Sequence, residues 1–201
     1  MVTAIARTYL GSTAEERRLL RRETLLKAGC DVYAQRGYRN ATVKAICERA
    51  GLTERYFYES FPNNEALFLA LFKDVSARML DEVRAAGEAV RGDPAGKARA
   101  ILEAYYRGLQ AEPAPARVFV IEAADISPAA HEIARLTFER FTDLLTQAWT
   151  NAPVQRDPAL RVGVSGAVVQ IARDWICNGF SQPLTSVVDA ALRISAVLAE
   201  Q

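Results

Sequence analysis

Six chemically active side chains crowd two turns of a short segment: Glu54, Arg55, Tyr56, Tyr58, Glu59 and Ser60. Phe57 and Phe61 stand among them one helical turn apart, spaced to anchor one side. Arginine pairs bidentately with guanine, a tyrosine ring packs on a thymine methyl, and hydroxyls donate to phosphates. Such a set on so short a helix points to reading double-stranded DNA. For Tyr56 and Glu59 an ordinary exposed helix face is the competing account. Little else in the chain suggests chemistry. His131 is the one histidine, without a Ser/His/Asp or metal-spaced set around it, and acid pairs such as Asp81-Glu82 fall on solvated helix faces. Neither catalysis, nor a metal, nor a cofactor is expected. Three scattered cysteines, Cys30, Cys47 and Cys177, form no C-x-x-C pair and argue against a disulfide framework. Cys30 and Cys47 fall on apolar helix faces, whereas Cys177 precedes a loop. The alternative functions are therefore a redox-responsive regulator acting through Cys177, or a helical enzyme.

The stretch that must position the polar set is Thr42 to Phe61, TVKAICERAGLTERYFYESF. Thr42 caps a helix to Arg49 with Val43 and Ile46 toward a core, and Thr53 caps the next. Ala50-Gly51-Leu52 makes the corner from a small residue, a glycine and an apolar plug. Two short capped helices about such a corner are the signature of a helix-turn-helix, whose second helix enters the major groove. An ordinary helical hairpin is the competing reading. Thr42 can offer its hydroxyl or backbone N–H to a phosphate. Arg55 and Tyr56 are placed to reach bases, each contact worth roughly 1–3 kcal/mol of discrimination.

At this point the residues carry a family likeness. The span from about Arg21 to Phe72, a quarter of the chain, resembles the DNA-binding domain of TetR-family transcriptional regulators. The matching elements, in order, are Ala34-Gln35-Arg36-Gly37-Tyr38, Ala41-Thr42-Val43, Ile46, Ala50-Gly51-Leu52-Thr53, Tyr58, Phe61 and Asn64-Glu65-Ala66-Leu67. The resemblance implies that Tyr58 donates to a phosphate and that Lys44 and Thr53 face DNA. Two positions depart from the pattern. After Glu54 the family often has glycine, where Arg55 adds a charged arm. The next helix often opens with a phosphate-binding lysine, where Asn64 stands. Asn64 can still hydrogen-bond, so about one fewer ionic contact and a shallower salt dependence are expected.

Composition agrees with a reading head on a different body. Residues 1–62 hold 11 Lys/Arg against 7 Asp/Glu, and the remainder 14 against 17, within a net charge of +1. No signal peptide is legible. The most apolar stretch, Val162 to Ala172, has 11 uncharged residues, too few to cross a bilayer. A cytoplasmic protein without membrane contact is expected.

Cap and breaker signals divide the chain into helices throughout, with no alternating strand pattern, so the fold is expected to be all-α. Residues 1–11 read as a flexible arm from which Arg7 could touch DNA. Ser12 or Thr13 opens a capping box with a Glu three residues on, and the helix ends at Gly37. Asn63 caps a helix of about 25 residues, the linker helix between head and body, Asp93-Pro94 opens another, and a shorter one is expected from Ala116 to Ala124. Ser127-Pro128 and Asp157-Pro158 start two long helices, and a last runs from Pro183 to Ala199. The domains are placed at 1–62 (helix-turn-helix) and 63–201 (ligand binding and dimerisation).

The helix after Asp157 is apolar nearly all round and must then be buried all round. With the last helix it suggests a two-fold dimer whose four-helix interface holds Val164, Val168, Ile171, Trp175, Val187, Ala191, Ile194 and Leu198, unless the two form the interior of a monomer. The resemblance favours the homodimer. Between the linker helix and this pair, Tyr105, Tyr106, Phe119, Phe138, Phe141, Trp149 and Trp175 are candidates to line a small-molecule cavity, with Glu122, Asp125 or Arg135 to orient a ligand; plain core is the competing reading for the aromatics, and simple surface exposure for Asp125. The resemblance then implies a ligand-responsive repressor, released from a palindromic operator when a small molecule shifts the linker helix.

Overall fold

The computed structural model describes residues 13–122, 126–150 and 157–199, and every regular element among them is helical. The first helix, α1 (Ala14–Arg36), starts where Thr13 Oγ1 accepts from the Glu16 N–H (3.1 Å) and the Glu16 carboxylate accepts from the Thr13 N–H (2.6 Å). Of the two candidate caps it is Thr13 that closes the capping box. A stripe of Leu25, Ala28, Val32 and Tyr33 buries the inner face of α1. Gly29 in this stripe meets the start of a later helix so closely that a Cβ would collide with the Leu67 side chain.

After a single turn at Tyr38–Asn40 come α2 (Val43–Ala50) and α3 (Glu54–Ser60). Thr42 caps α2 by accepting from the Ala45 N–H at 3.1 Å. Gly51 ends it at φ 66°, a left-handed conformation that a Cβ would strain. α4 (Asn64–Ala89) is capped by Asn63 Oδ1, which accepts from the Ala66 N–H at 2.8 Å. The chain divides into two compact units between Leu71 and Phe72, inside α4.

The second unit is built around α5 (Pro94–Ala111), which buries Ala98, Ile101, Leu102, Tyr105, Tyr106 and Leu109. α6 (Pro113–Arg117) runs into a wide turn at Val118–Glu122. The helix expected from Ala116 thus starts at Pro113, because prolines in a first turn forfeit only N–H groups that have no helical partner. Three helices follow: α7 (Pro128–Thr150), α8 (Pro158–Cys177) and α9 (Leu184–Ser195), the last tightening into a turn at Ala196–Leu198. α5 packs against α7, α8 and α9. Polar contacts stitch these helices together: Tyr106 Oη donates to the Val168 carbonyl (3.0 Å), Trp149 Nε1 to Ser195 Oγ (3.2 Å), and Arg99 pairs with Asp189 (2.7 Å).

Candidate nucleic-acid interface

α3 is held to its unit by two aromatic pegs. Phe57 has no exposed surface, Phe61 is 3% exposed, and their rings lie 5.9 Å apart. Burying two phenylalanines fixes a helix too short to be stable alone. The other side of α3 remains outside: Glu54, Arg55, Tyr56, Tyr58 and Glu59 are all exposed. The Arg55 side chain is 85% exposed, and its Nε donates to Glu59 Oε1 at 3.1 Å. From α1, the Arg21 guanidinium lies over the Tyr56 ring, 4.5 Å from its centroid, and 3.9 Å from Glu59 Oε2. Arg22 covers the outer edge of the anchor, 4.6 Å from the Phe61 ring centre.

Thr42, Lys44 and Thr53 are also exposed. The Thr42 oxygen accepts the capping bond, so its O–H proton is free to donate. Thr53 stands at the N-cap of α3 without a side-chain capping bond, leaving its hydroxyl available. The structure therefore gathers seven of the eight anticipated DNA-facing residues on the outside of α2 and α3.

Asn64 behaves otherwise. Its Oδ1 accepts from Tyr33 Oη (2.7 Å), its Nδ2 donates to the Ala41 carbonyl (2.9 Å), and its own carbonyl receives Tyr33 Oη at 3.2 Å. Both ends of the amide are engaged inside the unit, clamping α1 to the entrance of α2. This departs from the exposed phosphate contact anticipated for it. Tyr33 is fully buried, and that burial, with smaller contributions from Tyr38 and Cys30, drives its phenol well above the usual value.

The cysteines divide as their neighbours dictate. Cys30 and Cys47 are buried, and burial, aided by the Glu54 charge, raises the Cys47 thiol. Cys177 is exposed. Among the described residues no group of His, Cys, Asp or Glu is arranged to hold a metal ion.

In the second unit most of the anticipated ligand-binding aromatics form a close-packed cluster. Tyr105 touches Tyr106 and Phe141 (ring centroids 5.1 and 5.0 Å), Tyr106 touches Trp175 (6.0 Å), and Phe119 touches Phe138 (5.6 Å). Trp149 is half-buried and tied to Ser195. Two of the aromatics, Tyr105 and Phe119, also line a cavity of about 50 Å³ walled by Val75, Met79, Leu109 and Ala116, with Arg78 and Glu112 paired at 3.2 Å beside it. Tyr105 Oη is buried without a hydrogen-bond partner, and desolvation drives its phenol far up. Phe138 lines a wider groove of about 760 Å³ between α7 and α8, with Val162, Val169, Arg135, Arg161 and Arg173. The Glu122 side chain, Asp125 and Arg7 lie outside the described residues.

The anticipated dimer residues need correction. Val164, Val168, Trp175, Val187, Ala191 and Leu198 are at most 3% exposed in the single chain, so they belong to its own core and have no surface to offer a second copy. Ile171 is half-buried, and Ile194 is exposed. Nor is α8 buried all round: Val162 is 72% exposed, and a Cβ on Gly163 or Gly166 would meet open space. The Trp175 indole illustrates the inward role, donating to the Gln182 carbonyl at 2.9 Å.

Residues 25–71 match the family model described as bacterial regulatory proteins, tetR family. Over 178 residues, 87% of this chain and 81% of the relative, the sequence is 24% identical to the HTH-type transcriptional activator FasR of Mycolicibacterium smegmatis. Shorter matches are confined to about a third of either protein. They are 38% identity over 58 residues with an uncharacterized HTH-type transcriptional regulator of Bacillus subtilis, YdgC (29% of this chain, 30% of that one), and 34% over 64 residues with the transcriptional repressor AcnR of Corynebacterium diphtheriae (32% and 34%). The fold is shared with the transcriptional regulator FadR from Bacillus subtilis, solved in complex with stearoyl-CoA, at a TM-score of 0.73 and 16% identity over 86% of this chain and 96% of that one.

Proposed function

We propose, from the premise that the chain belongs through its N-terminal module to the TetR family of bacterial transcriptional regulators, that it is a homodimeric repressor which a small molecule releases from a palindromic operator. The observation that carries this reading is α3, sunk into its unit by Phe57 and Phe61 while Arg55, Tyr56 and Tyr58 stand outside. Arg55 and Tyr56 read base edges, with Glu54 beside them at the helix start. Tyr58, Lys44, Thr42 and Thr53 take phosphates, which set register and supply most of the salt-dependent affinity. Repression is supported by the likeness to AcnR. Such a regulator works in the cytoplasm, and among the described residues no helix is long and apolar enough to cross a membrane.

A second copy is supported by what the single chain leaves uncovered on α8 and α9. Val162, the open flank at Gly163 and Gly166, Ile194 and, in the turn after α9, Val197 are exposed apolar or small positions. Pairing these faces about a two-fold axis covers them and presents two reading heads to the half-sites of a palindrome.

The effector reading rests on the cavity beside Tyr105. At about 50 Å³ it has room for little more than a water molecule, so an apolar chain enters only by parting Val75, Met79, Leu109 and Phe119, and the buried hydroxyl without a partner then suits that chain's hydrogen-bonding group. Val75 and Met79 of this wall belong to α4, so an occupant that pushes them apart favours a different setting of that helix. Coupling of about 1–3 kcal/mol is typical of such linkage. With FadR solved around stearoyl-CoA, an amphipathic acyl thioester is the first probe to try.

The test is binding of the purified full chain to its own upstream DNA and to a random duplex library at several salt concentrations. Sequence-selective binding is expected, with Arg55→Ala relaxing specificity and Tyr58→Phe weakening all sequences alike. A library selection that enriches nothing refutes the DNA-binding reading. A reporter driven from the selected site decides the sign: higher expression on deleting the protein supports repression, and lower expression makes it an activator.

A further inference from the structure

We propose that Glu59 is a specificity-determining residue that holds Arg55 in check until a cognate base is present. The proposal rests on the reading of α3 as the recognition helix. Glu59 is the one acid in the second turn of that helix, and its two oxygens are divided. Oε1 accepts from Arg55 Nε at 3.1 Å, while Oε2 lies 3.9 Å from the Arg21 guanidinium. Arg21 is itself fixed, its side chain only 17% exposed and its guanidinium seated on the Tyr56 ring. A cation buttressed from another helix therefore backs the carboxylate that tethers Arg55. The tether pairs exposed groups, one helical turn apart, and such pairs are weak enough to be exchanged readily.

That weakness defines the function. Guanine offers Arg55 two acceptors in fork geometry and replaces the carboxylate at no net loss of hydrogen bonds. On a duplex without guanine at that position, Arg55 must abandon Glu59 for a single phosphate or stay tethered, and the carboxylate stays beside phosphates that repel it. Specificity is a difference of affinities, and an element that penalises wrong sequences widens it as surely as a contact to the right one. Arg55 alone would strengthen binding to any duplex; Arg55 tethered by Glu59 strengthens binding where a guanine competes for it.

The experiment compares wild type, Glu59→Gln, Arg55→Ala and the double variant by fluorescence anisotropy, on the duplex selected by the wild-type protein and on a scrambled duplex of equal composition. Freeing Arg55 for one more phosphate contact steepens the salt dependence on scrambled DNA by about 0.9 in log–log slope, or about fivefold in affinity at 0.15 M salt. Glu59→Gln is expected to tighten scrambled DNA by that factor, to change the selected duplex less than twofold, and to lose its effect when Arg55 is alanine. Glu59→Asp, which keeps the charge on a shorter stem, is expected to fall between. A Glu59→Gln gain on scrambled DNA that persists undiminished with Arg55→Ala overturns the proposal, since it then reflects charge alone. Loss of affinity for the selected duplex at one cytosine-bearing position also overturns it, because Glu59 would then be reading a base itself. If the wild-type protein selects no duplex, it is the DNA-binding reading that fails; if it selects one and Glu59→Gln is silent, only the tether does.

Discussion

Asn64→Ala separates the two parts this residue can play. As a clamp, its amide ties Tyr33 Oη at 2.7 Å and the Ala41 carbonyl at 2.9 Å. Alanine removes both bonds. Tyr33 Oη keeps the Asn64 carbonyl, at 3.2 Å, but the Ala41 carbonyl loses its side-chain donor. A side-chain hydrogen bond contributes about 1 kcal/mol net, and a part-buried group left unsatisfied adds to the loss, so the unit should lose about 2–3 kcal/mol. The loss should appear as faster amide exchange across residues 14–71, followed by mass spectrometry of the full chain, with residues 94–111 unchanged. DNA binding at 25 °C should keep its salt slope, since no phosphate contact has been removed. Asn64→Lys sharpens the test. Lysine cannot accept from Tyr33, so the stability loss recurs, while its charge should steepen the salt slope by about 0.9. Unchanged exchange in Asn64→Ala with a salt slope shallower by about one would refute the clamp and restore the direct phosphate contact.

Three further outcomes follow from burial and polarity. Phe57→Ala, at a position with no exposed surface, should cost about 3–5 kcal/mol and abolish selective DNA binding without touching a DNA-facing group; a chemical denaturation midpoint equal to wild type would show that α3 is not held this way. Tyr105→Phe removes a buried hydroxyl without a protein partner, so thermal stability should rise or stay within about 1 kcal/mol, while any acyl thioester that loosens DNA binding should lose most of its effect; a large loss of stability would reveal a structural bond to that hydroxyl. Tyr33, Tyr105 and Tyr106 all have phenols raised by burial above the ordinary 10.0. Because the folded form holds these protons more tightly than the unfolded chain, stability is intact below pH 10 and falls above it, by up to about 4 kcal/mol per pH unit if all three contribute. Urea titrations between pH 9 and 11 that show no fall, with phenolate absorbance reporting ionisation in the folded protein, would sink that assignment.

What the sequence makes legible here is what local chemistry decides. Thr13, Thr42, Asn63 and Asp157 each accept from a backbone N–H two or three residues on, so the helix starts they mark need no knowledge of the rest of the chain. Phe57 and Phe61 could be assigned to the core from spacing alone, because only one side of so short a helix can be buried. α6 starts at Pro113, ahead of the Ala116 expected for it, because a first turn accommodates both Pro113 and Pro115. The remaining differences all involve a partner far along the chain. The fate of Asn64 depends on Tyr33 and Ala41, 31 and 23 residues away. Tyr106 finds the Val168 carbonyl and its neighbour Tyr105 finds nothing, although the two are adjacent and equally buried. On α8, valines at every register predict burial on every side, yet only Val164 and Val168 point inward while Val162 faces out; which face a helix buries is settled by the helices beside it.

This asymmetry says which residues deserve a functional account. A side chain that the fold uses, as it uses Asn64 between Tyr33 and Ala41, is explained by stability and says nothing about DNA. Arg55 and Tyr58 do no such work: one is 85% exposed by its side chain and the other 56% exposed, on a helix held by other residues. Exposure alone would leave them unremarkable. What distinguishes them is that the most economical way to expose so much aromatic and cationic surface on a two-turn helix is to give that surface something to bind. The Arg21–Glu59–Arg55 chain extends the same logic, since an arm that contributes little to folding has been given a carboxylate to occupy it. Selection of sequence, on this view, resides as much in how the reading arm is restrained before contact as in the contact itself.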